Sequence, residues 1–254
     1  DGTFEKISLM AKKYKNIQIL VRKKHGTPAK NFHYLLESCN FSNFDYVALS
    51  DQDDIWVFDK LYKAHSKLMA NDCDAYSSDV IAQYSSGRQK YIKKSYPIKK
   101  YDYLFESAGP GCTYVIKSIY IYEYVKFLKL NKNLVNEINC HDWTMYAYMR
   151  SNKYNWHIDS IATLIYRQHN NNAEGVNLGV TAYLNRLKSI TSGQYRKRCL
   201  LILELVEYNN TNLRRRLEGS WISGIFLLMH IREIRRSSKN QCFMAFFLIF
   251  GLFR

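Results

Sequence analysis

Four residues with strand character, Tyr46-Val47-Ala48-Leu49, run straight into Ser50-Asp51-Gln52-Asp53-Asp54-Ile55-Trp56. A short apolar run of this kind is predicted to be a strand buried in a sheet. In open α/β sheets, ligands bind just beyond the carboxyl ends of the strands, which is where these aspartates fall. In a near-extended chain, Asp51 and Asp53 point the same way and Asp54 points to the opposite side. Hard oxygen ligands so placed suit Mg²⁺ or Mn²⁺, which keep several waters and bridge substrate phosphates. Such a cation acts as a Lewis acid and stabilises negative charge gathering on a bound phosphate. The plainer reading is a solvated acidic turn that caps the next helix, because an Asp-x-Asp is short.

The rest of the first two-thirds alternates strand-like and helix-like stretches, which predicts an α/β layer architecture. Helical spacing covers a segment from Thr3, a predicted N-cap, and then residues 29–38, 60–69, 118–130 and 143–149. Strands are predicted at 17–22, 46–49, 74–78, 81–84, 113–116 and 161–166, with a basic loop at 23–28. From about residue 179 the chain shows helical periodicity, arginine clusters and no convincing strand. The predicted organisation is therefore a unit at 1–178 followed by a basic amphipathic helical segment at 179–254.

Net charge is +15, and residues 183–254 hold 13 Lys/Arg against 4 Asp/Glu. Arg196-Lys197-Arg198, Arg214-Arg215-Arg216 and Arg235-Arg236 punctuate apolar stretches, among them 242–250. Cationic flanks around apolar helices fit an interfacial segment on anionic lipid; a packed helical subdomain with a solvated basic face fits as well. No recognition fold for bases accompanies the charge, so nucleic acid is not an expected partner. No apolar run reaches the roughly 18 residues that suggest a membrane span. The six cysteines are scattered without a CxxC pair, as expected for reduced thiols in the cytosol.

Six segments in order carry a resemblance. DGTFEKI, HGTPAKNF, YVALSDQDDIWVFDKL with GPGCTYVI, HDWTMYAY and YRQHNNN are similar to motifs of the family 2 glycosyltransferases, in the rhamnosyltransferase-like branch. The resemblance spans about residues 1–172. It implies the GT-A fold, a Rossmann-like mixed sheet with flanking helices, followed here by a C-terminal helical segment. It also implies that the chain begins inside a longer product, with the family's first strand and helix lying N-terminal to Asp1.

The same resemblance implies roles. Asp51, Asp53 and Asp54 are expected on the donor, Asp53 as the direct metal ligand and Asp54 holding the loop. Asp142 is expected as the base of an inverting transfer. Gly111, Cys112 and Thr113, together with Trp143, are expected to line the substrate loop. Arg167 is expected to meet the diphosphate, and His169 to complete the metal shell. The implied partners are a nucleotide-sugar, with dTDP-rhamnose leading, and a polysaccharide or polyprenyl-linked acceptor. The implied location is peripheral, on the cytoplasmic face of the inner membrane. A non-catalytic scaffold that binds partners at the membrane, and a nucleotidyltransferase using the same aspartates, are the rival expectations.

Overall fold

In a computed structural model of the chain, the described residues are 2–21, 26–168, 180–207, 209–219 and 221–253. Asp1, His169 and the predicted boundary at 178/179 lie outside them. Helix α1 (Thr3–Lys13) starts on Gly2, whose φ of 71° is one that glycine adopts readily, so Thr3 is its first residue and not its cap. Helix α2 (Pro28–Ser38) has Thr27 as N-cap, with Pro28 in its first turn, where a missing N–H costs nothing.

Two four-stranded mixed sheets follow. In the first, β1 (Tyr46–Ala48), β6 (Val115–Lys117), β3 (Ala75–Ser78) and β7 (Trp156–Asp159) lie in that order. Strands β1 and β3 run antiparallel to β6, and β3 runs parallel to β7. In the second sheet the order is β2 (Ile55–Trp56), β8 (Leu164–Gln168), β4 (Val80–Tyr84) and β5 (Gln89–Ile92), with β4 and β8 parallel. A single residue, Asp79, joins β3 to β4, and its N–H bonds the carbonyl of Asp159 at 2.9 Å. The two sheets thus share a seam.

Residues 17–21 were expected in a strand but pair into neither sheet. Ile17 and Ile19 alternate with more exposed residues as a strand would, yet propensity without a hydrogen-bonding neighbour makes no ladder. The helices are α3 (Lys60–Ala70), α4 (Ser118–Leu130), α5 (Lys132–Ile138) and α6 (His141–Ser151), then α7 (Val180–Thr191), α8 (Gln194–Val206), α9 (Thr211–Glu218), α10 (Trp221–Met229), α11 (Ile231–Ile234) and α12 (Ser238–Ile249).

One apolar core runs through both parts of the chain: Tyr114, Ile116, Tyr124 and Tyr146 join Ile202, Leu203, Leu217 and Phe247. Arg235 and Arg236, expected among the surface cations, are buried instead, 5% and 6% exposed. Arg235 donates to the carbonyl of Phe105 (2.6 Å) and to the Tyr195 hydroxyl (2.9 Å). Arg236 lies 3.6 Å from both Asp102 and Glu106, and it donates to the carbonyl of Ser107. Burial is tolerable because the two guanidiniums face two buried carboxylates and open carbonyls. Among the described residues, no helix is long and apolar enough to cross a membrane.

Candidate active site

The acidic segment is a turn, not an extended strand end. Gln52 and Asp53 occupy the corner, and the chain enters β2 at Ile55. A turn brings positions i and i+3 together, so Asp51 and Asp54 converge where an extended chain would have paired Asp51 with Asp53. Their carboxylates and the Cys112 thiol all lie within 4.8 Å of one another. Arg167, on β8, donates through Nε to the carbonyl of Asp53 and so fastens the corner of the turn.

Both oxygens of Asp54 are enclosed and lack a hydrogen bond of normal geometry. Burial pushes its pKa up to about 6; the Cys112 thiol opposes the shift, and Asp51 and Asp53 add to it. Asp51 is also raised, chiefly by burial. Cys112 is fully buried, and burial followed by the Asp54 charge drives its thiol well above the ordinary range. It therefore stays protonated. Beneath the cluster, the buried Lys60 donates to the Cys112 carbonyl at 2.6 Å and stands 3.6 Å from the centre of the Trp56 ring. Burial lowers its pKa to about 8. Nothing in the local sequence marked Lys60, whose partners lie across the sheet.

Gly111, Cys112 and Thr113 form a single tight turn before β6. A Cβ on Gly111 would lie 3.0 Å from Cδ2 of His141 and 3.3 Å from Cβ of Asp142, and would overlap His141 Nε2. Only glycine lets the turn carrying Cys112 lie against the start of α6. Thr113 is spent within the turn, its hydroxyl bonding the carbonyl of Pro110 at 2.7 Å.

Asp142 sits in the first turn of α6, where a carboxylate is favoured. Its Oδ1 accepts from the Cys140 thiol (2.9 Å) and from the Trp143 N–H (2.7 Å). Its Oδ2 has no hydrogen-bond partner among the described residues. The preceding His141 stacks on Phe32 of α2, ring centres 4.2 Å apart. Thr27, the cap of α2, bonds Asn139 at 2.7 Å. The HGTPAKNF and HDW segments, over a hundred residues apart, are thereby joined.

Trp143, expected to line the substrate loop, turns inward. It is 5% exposed, donates to the carbonyl of Tyr103 at 2.7 Å and stacks on Tyr195. A large apolar ring at the third position of α6 falls on its core side, so the residue anchors the helix that carries Asp142. The structure brings together Asp51, Asp53, Asp54, Gly111, Cys112, Asp142 and Arg167.

No protein-family model matches the chain. It is 37% identical over 230 residues to the dTDP-rhamnosyl transferase RfbG of Shigella flexneri, covering 91% of this chain and 79% of that protein. Among solved structures, S. aureus TarS superposes with a TM-score of 0.51 at 13% identity, over 92% of this chain. This chain spans 37% of TarS, and the likeness concerns the fold, the mixed α/β arrangement of GT-A glycosyltransferases. With identity of this extent to RfbG, the chain belongs to the rhamnosyltransferase-like branch of the family 2 glycosyltransferases.

Proposed function

We propose that this chain transfers rhamnose from dTDP-rhamnose, with inversion, to a hydroxyl of a growing cell-surface polysaccharide held on a polyprenyl lipid. The donor is the one that RfbG, a dTDP-rhamnosyl transferase, is named for. The observation that carries the reaction is the Gly111–Thr113 turn, which packs the donor-side carboxylates and Asp142 against its two ends. Asp142 is the base: Cys140 and Trp143 hold one of its oxygens, leaving the other to take the acceptor's proton during in-line attack. Attack on the face opposite the departing diphosphate inverts the anomeric centre.

Asp51 and Asp54 fit a divalent cation, because they offer hard oxygens and neither oxygen of Asp54 makes a hydrogen bond of normal geometry. The protonated Cys112 thiol is not a ligand for such an ion. Asp51 and Asp54 would hold Mg²⁺ or Mn²⁺, with Asp53 at the corner of the turn and His169 beyond the described residues as further candidates. When bound, the cation supplies positive charge to the leaving diphosphate. Arg167 braces the turn from β8 and is the expected diphosphate contact.

A peripheral place on the cytoplasmic face of the membrane is part of the same proposal. Helices α10 and α12 expose Ile225, Phe226, Met229, Phe246 and Ile249, Phe250 is exposed just after α12, and Arg215 is exposed on α9. Apolar rings beside cations suit an anionic lipid surface. The deciding experiment incubates the chain with dTDP-rhamnose, Mn²⁺ and a polyprenyl-linked saccharide, and follows sugar transfer and free dTDP. Absence of both transfer and donor hydrolysis in the wild type would favour the non-catalytic scaffold and defeat the proposal.

A further inference from the structure

Lys94 stood out in no sequence motif, yet the fold presents it with care. Its backbone is clamped by Asp79, fully buried at the seam between β3 and β4. That carboxylate accepts from the N–H of Lys94, from the N–H (2.7 Å) and hydroxyl (2.8 Å) of Ser95, and from the Tyr91 hydroxyl (2.5 Å). The stem of Lys94 then runs along Gly109: a Cβ on that glycine would lie 3.4 Å from Lys94 Cγ and 3.6 Å from its Cβ. Two residues on, the same loop abuts Asp142.

The half-buried ammonium is thereby delivered within electrostatic reach of Asp142, Glu106, Arg186 and Arg236. Neither carboxylate is its partner. Glu106 is taken by Arg235 and Arg236, at 3.7 and 3.6 Å, and Asp142 Oδ1 by Cys140 and Trp143. The Lys94 ammonium itself makes no hydrogen bond or ion pair among the described residues. Burial, and after it the Arg236 charge, pull its pKa down, while the Glu106 and Asp142 carboxylates oppose the shift without pairing with the ammonium. A largely desolvated ammonium with no hydrogen-bonded counter-ion is destabilising on its own and becomes favourable when an anion enters.

We propose that Lys94 is an oxyanion-binding residue of the substrate site, its ammonium receiving a phosphate oxygen of a bound substrate beside Asp142. The proposal rests on the glycosyltransferase reading, in which phosphate arrives on the donor diphosphate and on a lipid-linked acceptor. As a compact point charge, lysine suits such an oxygen without demanding a bidentate geometry.

The test titrates inorganic diphosphate, without divalent cation, into the full chain and into Lys94→Met and Lys94→Arg, at about 0.15 M salt so that scattered surface binding is screened. Lys94→Met keeps the stem and should weaken binding by about tenfold or more, whereas Lys94→Arg keeps the charge and should stay within about threefold. Thermal midpoints of the variants should be no lower than that of the wild type. A Lys94→Met protein that melts early is replaced by Lys94→Gln, read in the same way. Repeating the titration with saturating dTDP separates the sources: displaced diphosphate assigns Lys94 to the donor, and retained binding assigns it to the acceptor phosphate. Undiminished affinity in the charge-removed variant overturns the proposal, as does a wild type that binds no diphosphate. Because the readout is binding, a chain that transfers no sugar but loses diphosphate with Lys94→Met defeats the transferase reading and keeps this one.

Discussion

Gly111 stands so close to His141 that any side chain on it would run into the imidazole and come within 3.3 Å of Cβ of Asp142. The turn carrying Cys112 and the helix carrying the proposed base therefore hold each other in place through one missing methyl group. Gly111→Ala is expected to push α6 outward. Overpacking of this kind costs about 1–3 kcal/mol of stability, and displacement of a catalytic group by about 1 Å costs on the order of a hundredfold in rate. Thermal melts and steady-state turnover check it; a variant with unchanged kcat would show that the turn yields without disturbing Asp142.

Asp142→Asn keeps the shape of the side chain and removes its basicity. Turnover should fall by about 10²–10⁴-fold while the affinity for donor, measured by calorimetry, stays near wild type. A large loss of donor affinity with little change in kcat would move Asp142 from the base to the donor site.

The aspartates should separate by position in the turn. Asp54→Asn and Asp51→Asn are expected to weaken Mn²⁺ binding at least about tenfold, and Asp53→Asn by less, since the carboxylates of 51 and 54 converge. Manganese titration followed by electron paramagnetic resonance reads this directly. If Asp53→Asn proves the most damaging, the extended-chain expectation is restored.

His33 supplies a pH signature. Burial first, and His141 second, push its pKa from an ordinary 6.5 down to about 4, so the folded chain prefers the neutral ring. The folded value lies below the unfolded one, so its contribution is complete above pH 6.5 and lost as pH falls toward 4. Its full size is about 3 kcal/mol at most. The stability difference between wild type and His33→Asn, from urea unfolding at pH 7.5 and pH 4.5, should shift accordingly in favour of the variant at low pH. A difference independent of pH would show that the imidazole is not held neutral.

The two arginine groups should behave differently. Arg236→Ala removes one buried cation from each of two carboxylates, leaving Asp102 with Arg150 and Glu106 with Arg235, and should cost about 3 kcal/mol in chemical unfolding. Replacing Arg214, Arg215 and Arg216 together with glutamine should cost far less. Arg214 makes only partly exposed pairs with Glu204 and Glu218, and surface pairs contribute about 0–1 kcal/mol each. On anionic vesicles the order should reverse: the triple variant should sediment less than the wild type, and equal sedimentation would remove the membrane from the proposed function.

The sequence by itself determined the local elements and the family. The apolar spacing of residues 118–130 marked α4 at its observed bounds, and the run before Asp51 marked β1. Six motifs in order pointed to the family that identity to RfbG shows. Strands β2, β5 and β7 were missed, since β2 has only two residues and Gln89–Ile92 and Trp156–Asp159 mix polar and charged residues with apolar ones. Which carboxylates meet, and which charges are buried, was decided only in the tertiary structure. Asp54 joins Asp51 because Arg167, 114 positions from Asp53, fastens the turn. Trp143 faces the core because the carbonyl of Tyr103 takes its N–H. Arg235 and Arg236 could leave water only because Asp102, Glu106 and the carbonyls of Phe105 and Ser107, about 130 residues earlier, were already gathered beneath them. Periodicity reports what a segment can do beside its neighbours in sequence, whereas the sign and partner of a buried charge depend on groups that meet only when the chain has closed.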